Sequence, residues 1–495
     1  MLRIDRDKTM GRFQHLYFHI SLALAMGLSV GLGLAVPNLS QPGIFLAATQ
    51  IQSQDEESEV HIAPQDDCLA KMGDWSEPEK WAWRQICARE RIDFDQRYGK
   101  PKNVDDLAND QRRILSAQFL RQILEDPRFQ PYTQTAAVDI AGAYLPTLQV
   151  GNASIGALSL VDCKIGGDLY IKSVTVLRSI IISGSKIGDV SLQRIQGGNI
   201  NFNAPIMGDV QTQQLRITRL SFVGGQFKTL AVRISRFSDQ LAILSGRALE
   251  KIILDDVKSD GLFIRPSSAR SIDVNDYIDT GMFFFSVNRW SEDSELKLHT
   301  VSTGRFLLRK ALPQKISAGG FVFSGADWGV DPLPLLKRWT DASSDYVPGL
   351  YTGLAASYLA DGQSGMASDI LIAKQNADYA HSTSPLEKFY LFVTWLLADY
   401  GYHPEIGLLW VIGFVGIATL VFKTGEKSLA SKKRPRNWLV FAFDAVIPGI
   451  KLDDQHGEVG FRGWRQYFLY FLRFLSAVVV VLVIELLKKS LGGLG

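Results

Sequence analysis

A strand-like triplet, apolar at its first residue and usually at its third, returns every 10 or 11 positions from Val138 onward. It reads Val138-Asp139-Ile140, Leu148-Gln149-Val150, Leu158-Ser159-Leu160, Leu169-Tyr170-Ile171 and Ile180-Ile181-Ile182, and it keeps register through Val190, Ile200, Val210, Leu220 and Leu230. First positions continue at Leu241, Ile252, Leu262, Ile272 and Met282 before loosening to Leu296, Phe306 and Phe321. A period of two inside each triplet sets two side chains on one face, and a three-residue apolar burst every ten lacks the 3.6 rhythm of a helix. Short strands joined by tight turns satisfy the pattern. A hairpin sheet has no reason for such even spacing. A parallel β-helix does, because stacked coils place equivalent positions in internal ladders. The expected fold is a right-handed parallel β-helix over residues 133–328, with two triplets, about 20 residues, per coil. About nine coils at 4.7–4.9 Å would form a rod a little over 40 Å long.

Several connecting stretches carry Ile-Gly-Asp or a close variant: Ile165-Gly166-Gly167-Asp168, Ile187-Gly188-Asp189 and Met207-Gly208-Asp209. One coil apart, these three aspartates would stack along an edge, where a carboxylate row could hold Ca²⁺ or a cationic sugar. Turn chemistry, each carboxylate bonding nearby backbone amides, accounts for the same residues without a ligand and is the reading adopted. The open ends of a rod expose unpaired strand edges and need caps. Val104 to Asp126 reads as one amphipathic helix before the rod; Pro334 to Thr340 and Leu350 to His381 are helix-like after it. In the latter, Tyr351, Leu354, Ala355, Tyr358 and Gly362 sit where a tetratricopeptide unit places its packing residues, and one such unit serves as a cap or adaptor. Cys68 and Cys87 flank a segment containing Gly73 and Pro78, and they read either as a disulfide closing a loop of about 20 residues or as two thiols. Cys163 falls at a core position of the repeat.

The repeat resembles pentapeptide-repeat-like β-helices. Its flanks extend the likeness: Trp81, Trp83, Ile86 and Asp93-Phe94 before Arg113-Ile114-Leu115-Ser116 on one side, and Tyr400-Gly401-Tyr402, Trp410 and Phe443-Asp444-Ala445-Val446-Ile447-Pro448 on the other. Together they resemble a group of bacterial membrane proteins with an N-terminal helical cap, a pentapeptide-like solenoid and a C-terminal membrane module, and this implies architecture rather than activity. The central residue of each five is often neither Leu nor Phe, so the likeness implies coils without a regular square section.

Apolar residues outside the repeat gather at the two ends. Arg3, Arg6, Lys8 and Arg12 precede an apolar run from Leu16 to Val36, so residues 1–48 have the layout of a signal peptide or signal anchor. A polar linker and the N-terminal helical cap fill 49–132, and a helical cap or adaptor fills 329–400. Residues 401–495 read as a membrane module. It comprises a helix over 403–422, a basic loop over 423–436, a short apolar segment over 437–450 that is too short to cross, and a helix over 467–487. Lys423, Lys427, Lys432, Lys433, Arg434 and Arg436 place that loop in the cytoplasm by the positive-inside rule, and the solenoid on the other side. Asp444 in the short segment and Arg473 in the last helix are a candidate intramembrane ion pair.

Chemistry-bearing motifs are sparse. Lys and Arg number 53 against 51 Asp and Glu, and residues 138–325 hold 21 against 16, which argues against both a nucleic-acid partner and an acidic DNA mimic. Of seven histidines, His15 and His19 alone have metal-ligand spacing, and they open the export helix. No nucleophile elbow, P-loop or dinucleotide fingerprint appears, so no catalytic residue, cofactor or metal ligand is assigned. The expectation is a non-enzymatic scaffold or interaction protein of the bacterial inner (plasma) membrane, its β-helix on the periplasmic, extracytoplasmic side. Its expected partners are the membrane and other envelope proteins or itself. An oligomeric pore or transporter with a solenoid sensor, and a carbohydrate-active enzyme on the rod, are the alternatives.

Overall fold

Each inward apolar pair of the repeat meets its counterpart one coil away. The computed structural model describes residues 65–476 apart from 245–247, 277, 330, 426–434, 447–451, 453–458 and 460. Between Ala137 and Asp327 the chain forms a parallel β-solenoid of about 9 turns with about 21 residues per turn. One ladder of paired residues runs Val138, Leu158, Ile180, Ile200, Leu220, Leu241, Leu262, Phe283, Phe306, Ala326. A second runs Leu148, Leu169, Val190, Val210, Leu230, Ile252, Ile272, Leu296, Ile316. Successive triplets therefore alternate between two faces of the rod, and every residue of both ladders is buried.

Two positions differ from the sequence expectation. The half-coil after Ile272 takes eleven residues, so Phe283 enters the core in place of Met282, which is 37% exposed. In the last coil Ile316 holds the ladder position, while Phe321 packs edge-on to Phe306 with ring centroids 4.9 Å apart.

Backbone corners explain the ten-residue step. Positive φ falls at Gly142, Asn152, Asp162, Ser173, Gly184, Arg194, Ala204, Gln214, Gly224 and Ile234, so each of these coils makes two left-handed corners. Gly, Asn and Asp adopt that conformation at small cost; Arg194, Ala204, Gln214 and Ile234 do not. Between Val190 and Phe237 the inward positions come as pairs two apart, 190/192, 195/197 and onward to 235/237, recurring every five residues, with Gly197 alone short of full burial. The central residue of each five varies from Phe202 to Thr212, yet the period persists, because the corners rather than side-chain identity set it. Where two phenylalanines coincide, Phe202 and Phe222 stack at 4.9 Å and 4°.

The N-terminal cap comprises α1 (Gln65–Leu69), α2 (Glu77–Ala88), α3 (Phe94–Tyr98), α4 (Ala117–Glu125) and α5 (Gln130–Thr135). Ile92 and Asp93 pair with Ile140 and Ala141, which covers the first strand edge. The single helix expected over Val104 to Asp126 is instead two 3₁₀ turns, Val104–Asn109 and Gln111–Arg113, then an extended step into α4. Polar caps cause the breaks: Asp110 accepts the Arg112 amide, Ser116 Oγ accepts the Phe119 amide, and Ile114 bridges to Tyr144 of the first coil.

Beyond the last coil lie α6 (Leu333–Ala342), α7 (Pro348–Ala360) and α8 (Ser364–His381). Leu336, Trp339, Leu350 and Leu354 join the solenoid core, Ser357 Oγ accepts the Ala326 amide, and the Tyr358 hydroxyl donates to Gly329 O at 2.8 Å. Then follow α9 (Pro385–Ala398), α10 (Pro404–Thr424), α11 (Trp438–Val446) and a helix over 464–476, α12. Ala418, Phe422, Phe441, Ala442 and Phe461 form a second, smaller core there. The helix expected over 403–422 is present as α10. Among the described residues, however, no helix is long and apolar enough to cross a membrane. The described part of the last helix ends at 476, and 1–48 and 477–487 lie outside the described residues.

Candidate functional site

The Ile-Gly-Asp stretches are a device between coils. Asp168 Oδ1 accepts the Asp189 amide at 2.9 Å, and Asp189 Oδ1 accepts the Asp209 amide at 2.8 Å. A Cβ on Gly188 would lie 2.6 Å from Asp168 Oδ1, and one on Gly208 2.1 Å from Asp189 Oδ1. Each glycine therefore clears the space that the preceding coil's carboxylate fills, while the apolar residue before it (Ile165, Ile187, Met207) enters the core. The amides bonded belong to the next coil rather than to the local turn. Among the described residues no group of three or more His, Cys, Asp or Glu is placed to hold a metal ion.

In the N-terminal cap Cys68 and Cys87 form a disulfide that ties α1 to α2, and Trp83 Nε1 donates to Cys68 O at 2.9 Å. Cys163 is free and buried, and burial pushes its thiol pKa up to about 12, which suits a core residue and not a nucleophile. Two buried charges organise this cap. Glu79 accepts the amides of Ser76 (2.8 Å) and Ser116 (2.9 Å), and both hydroxyls, so one carboxylate caps α2 and α4 together. Burial acts to raise its pKa, but the hydrogen bonds from Ser116 and Ser76 outweigh it and hold the carboxyl below its ordinary value. Arg113, 3% exposed, donates to Asp95 (2.7 Å), Asp110 (3.2 Å), Gly142 O (3.1 Å) and Gly99 O, which joins cap to first coil.

Sequence reasoning missed a trio at the far end. Ser317 Oγ donates to Asp345 Oδ2 at 2.9 Å and lies 3.3 Å from His299 Nε2. The serine sits between the other two, so the histidine is not oriented by the carboxylate as a nucleophile-activating relay requires. These residues are far apart in sequence, and nothing in their local patterns signals the meeting.

The membrane-module residues are only partly placed. Asp444 Oδ1 accepts the Leu452 amide at 2.9 Å, and Arg473 lies exposed on α12; no ion pair joins them. Of the basic loop, Lys423 and Arg436 are exposed, and Lys427, Lys432, Lys433 and Arg434 lie outside the described residues.

The largest departure from an ordinary surface is apolar. Helix α9 exposes Leu386 (79%), Phe389, Tyr390 and Trp395; α10 exposes Ile412, Ile417 and Leu420; α12 exposes Tyr467 (75%), Phe471 and Phe474 (70%). Trp410 Nε1 donates to Leu396 O at 2.9 Å and ties α10 to α9. One face of α10 is taken up in packing, through Val415, Ala418 and Phe422, and its other face is apolar and open. Helix α9 itself went unread in the sequence, although Ser384, Pro385 and Glu387 stand at N-cap, N1 and N3 positions ahead of an apolar run, a usable start signal. Comparison with family models, with curated proteins and with solved structures returns no match.

Proposed function

We propose that the chain is a non-enzymatic scaffold of the bacterial envelope, a right-handed β-helix of the pentapeptide-like kind held at the inner membrane by helices α9 to α12 and displayed on the extracytoplasmic side. The observation that carries this reading is the open apolar surface of those helices. Soluble surfaces scatter large apolar residues singly, whereas here Leu386, Phe389, Tyr467, Phe471 and Phe474 are each more than half exposed within two neighbouring stretches of chain. Trp395, Trp410, Trp438 and Trp464 add the amphipathic rings that favour headgroup depth. The disulfide agrees with an oxidising compartment, and the two basic flanks of the apolar runs agree with that orientation. The five-residue burial step supports the pentapeptide-like assignment.

Flotation of the purified full chain with vesicles of phosphatidylethanolamine and phosphatidylglycerol tests the attachment. The chain should rise with the vesicles and persist through a high-salt wash, and a variant with Phe389→Ser, Phe471→Ser and Phe474→Ser should float poorly. A full chain that stays at the bottom of the gradient sinks the reading, as does a dimer that hides these aromatics. Labelling of single cysteines placed in 423–436 from outside intact cells would reverse the orientation.

A further inference from the structure

One edge of the solenoid is a polar trough. Its left-handed corner carries Asn152, Ser173, Arg194, Gln214 and Ile234 in consecutive coils. Two hollows of 310 and 380 Å³ lie along it and share Arg194. The first is bounded by Arg121 and Glu125 of α4 with Tyr170 and Lys172; the second by Gln196, Gln214 and Arg216. Lys172, Arg194 and Arg216 thus bring one cation from each of three successive coils. Among the described residues no carboxylate pairs with any of the three, and the single carboxylate in the hollows is engaged: Glu125 Oε1 accepts the Gly151 amide at 2.7 Å and its Oε2 pairs with Arg121 at 2.8 Å. Elsewhere on the rod arginines are matched, Arg219 with Asp239, Arg236 with Asp256 and Arg309 with Asp327. Unmatched positive charge is therefore concentrated on this edge.

We propose that this edge binds a linear anionic glycan, a chain of uronic-acid-type sugars. Coils repeat at about 4.8 Å, close to the advance of one pyranose ring along an extended chain, so successive sugar carboxylates fall opposite Lys172, Arg194 and Arg216. Sugar hydroxyls both donate and accept, and the amides of Asn152, Gln196 and Gln214 do the same. Tyr170 supplies a ring for one sugar face. A single-stranded nucleic acid asks for successive stacking surfaces, and Tyr170 is the one aromatic residue lining the two hollows. The proposal does not rest on attachment to lipid, so either can fail alone.

Anisotropy of a fluorescent oligogalacturonate, titrated with the full chain in detergent, reads the binding. A neutral maltooligosaccharide of equal length and a single-stranded oligonucleotide of equal charge serve as comparators. The oligogalacturonate should bind and weaken as salt rises. A variant with Lys172→Gln, Arg194→Gln and Arg216→Gln should bind about tenfold more weakly or worse. A variant with Lys228→Gln, Arg265→Gln and Lys310→Gln, which removes the same charge elsewhere, should bind as the parent does. Both variants alter exposed side chains, and circular dichroism verifies that they fold. Absence of binding, equal binding of the neutral chain, tighter binding of the oligonucleotide, or equal losses in the two variants would each overturn the proposal.

Discussion

The stacked glycine and aspartate of neighbouring coils predict a specific energetic coupling between Gly208 and Asp189. In Gly208→Ala the new methyl would stand 2.1 Å from Asp189 Oδ1, so the carboxylate has to leave the Asp209 amide that it holds at 2.8 Å. That hydrogen bond is exposed, so its loss costs about 1 kcal/mol rather than the larger penalty of a buried orphan. Displacing the side chain adds about 1 kcal/mol more, offset by about 0.4–1 kcal/mol because alanine has fewer unfolded conformations than glycine. Asp189→Ala alone loses the hydrogen bond, about 1 kcal/mol. In the double variant the clash is gone, the next backbone atom, Gly188 O, stands at an acceptable 3.3 Å, and the hydrogen bond is lost once rather than twice. The double variant should therefore be no less stable than Asp189→Ala alone, a coupling of about 1–2 kcal/mol read from urea midpoints of the full chain in a double-mutant cycle. Strict additivity of the two substitutions would refute the ladder reasoning.

Four further outcomes follow from the caps and corners. Ile234 is β-branched with φ 48°, so Ile234→Asn should raise the melting temperature, stabilising by about 1 kcal/mol; an unchanged or lower value would show that the corner is unstrained. Arg113→Ala strands Asp95 and two carbonyls in the cap and should cost about 3–5 kcal/mol, seen as early melting of the cap by hydrogen exchange, with a cost below about 1 kcal/mol counting against it. Because the folded Glu79 carboxyl titrates below its ordinary value of 4.5, its stabilisation is complete above about that pH and disappears as pH falls through the lower folded value. Parent and Glu79→Gln should thus converge in stability towards acid, and parallel pH profiles would exclude the role. Reducing Cys68–Cys87, or replacing both by serine, should cost about 3 kcal/mol for a loop of this length, measured by chemical denaturation with and without reductant.

The repeat was legible because its cause is local. A left-handed corner every ten or eleven residues and a two-residue alternation between corners are properties of the backbone and its neighbours, so they print directly as apolar triplets separated by Gly, Asn and Asp. Where the corner residue is Arg194, Gln214 or Ile234 the composition signal vanishes, yet the spacing of the triplets still carries it. Legibility failed where a half-coil lengthened: counting ten from Ile272 lands on exposed Met282, and only pairing with Leu262 identifies Phe283 as the core residue. The N-terminal cap was misread for a similar reason. Its apolar residues have helical spacing, but Asp110 and Ser116 cap separate short turns, and Arg113 is drawn into a network with residues 14 to 29 positions away.

For the candidate surfaces the division is sharper. The amino-acid order alone determined that the chain stacks coils, that a disulfide pair was available, and that apolar runs flank the rod, since composition and period survive without knowing who touches whom. Tertiary structure decided that Gly188 and Gly208 make way for carboxylates one coil back, that Lys172, Arg194 and Arg216 line one trough without acidic partners, and that α9 and α12 leave their aromatics uncovered. Those facts depend on contacts between residues about 21 positions or more apart, where the neighbour is set by the accumulated length of a whole coil. A period states that a neighbour exists; the winding of the chain decides which residue it is.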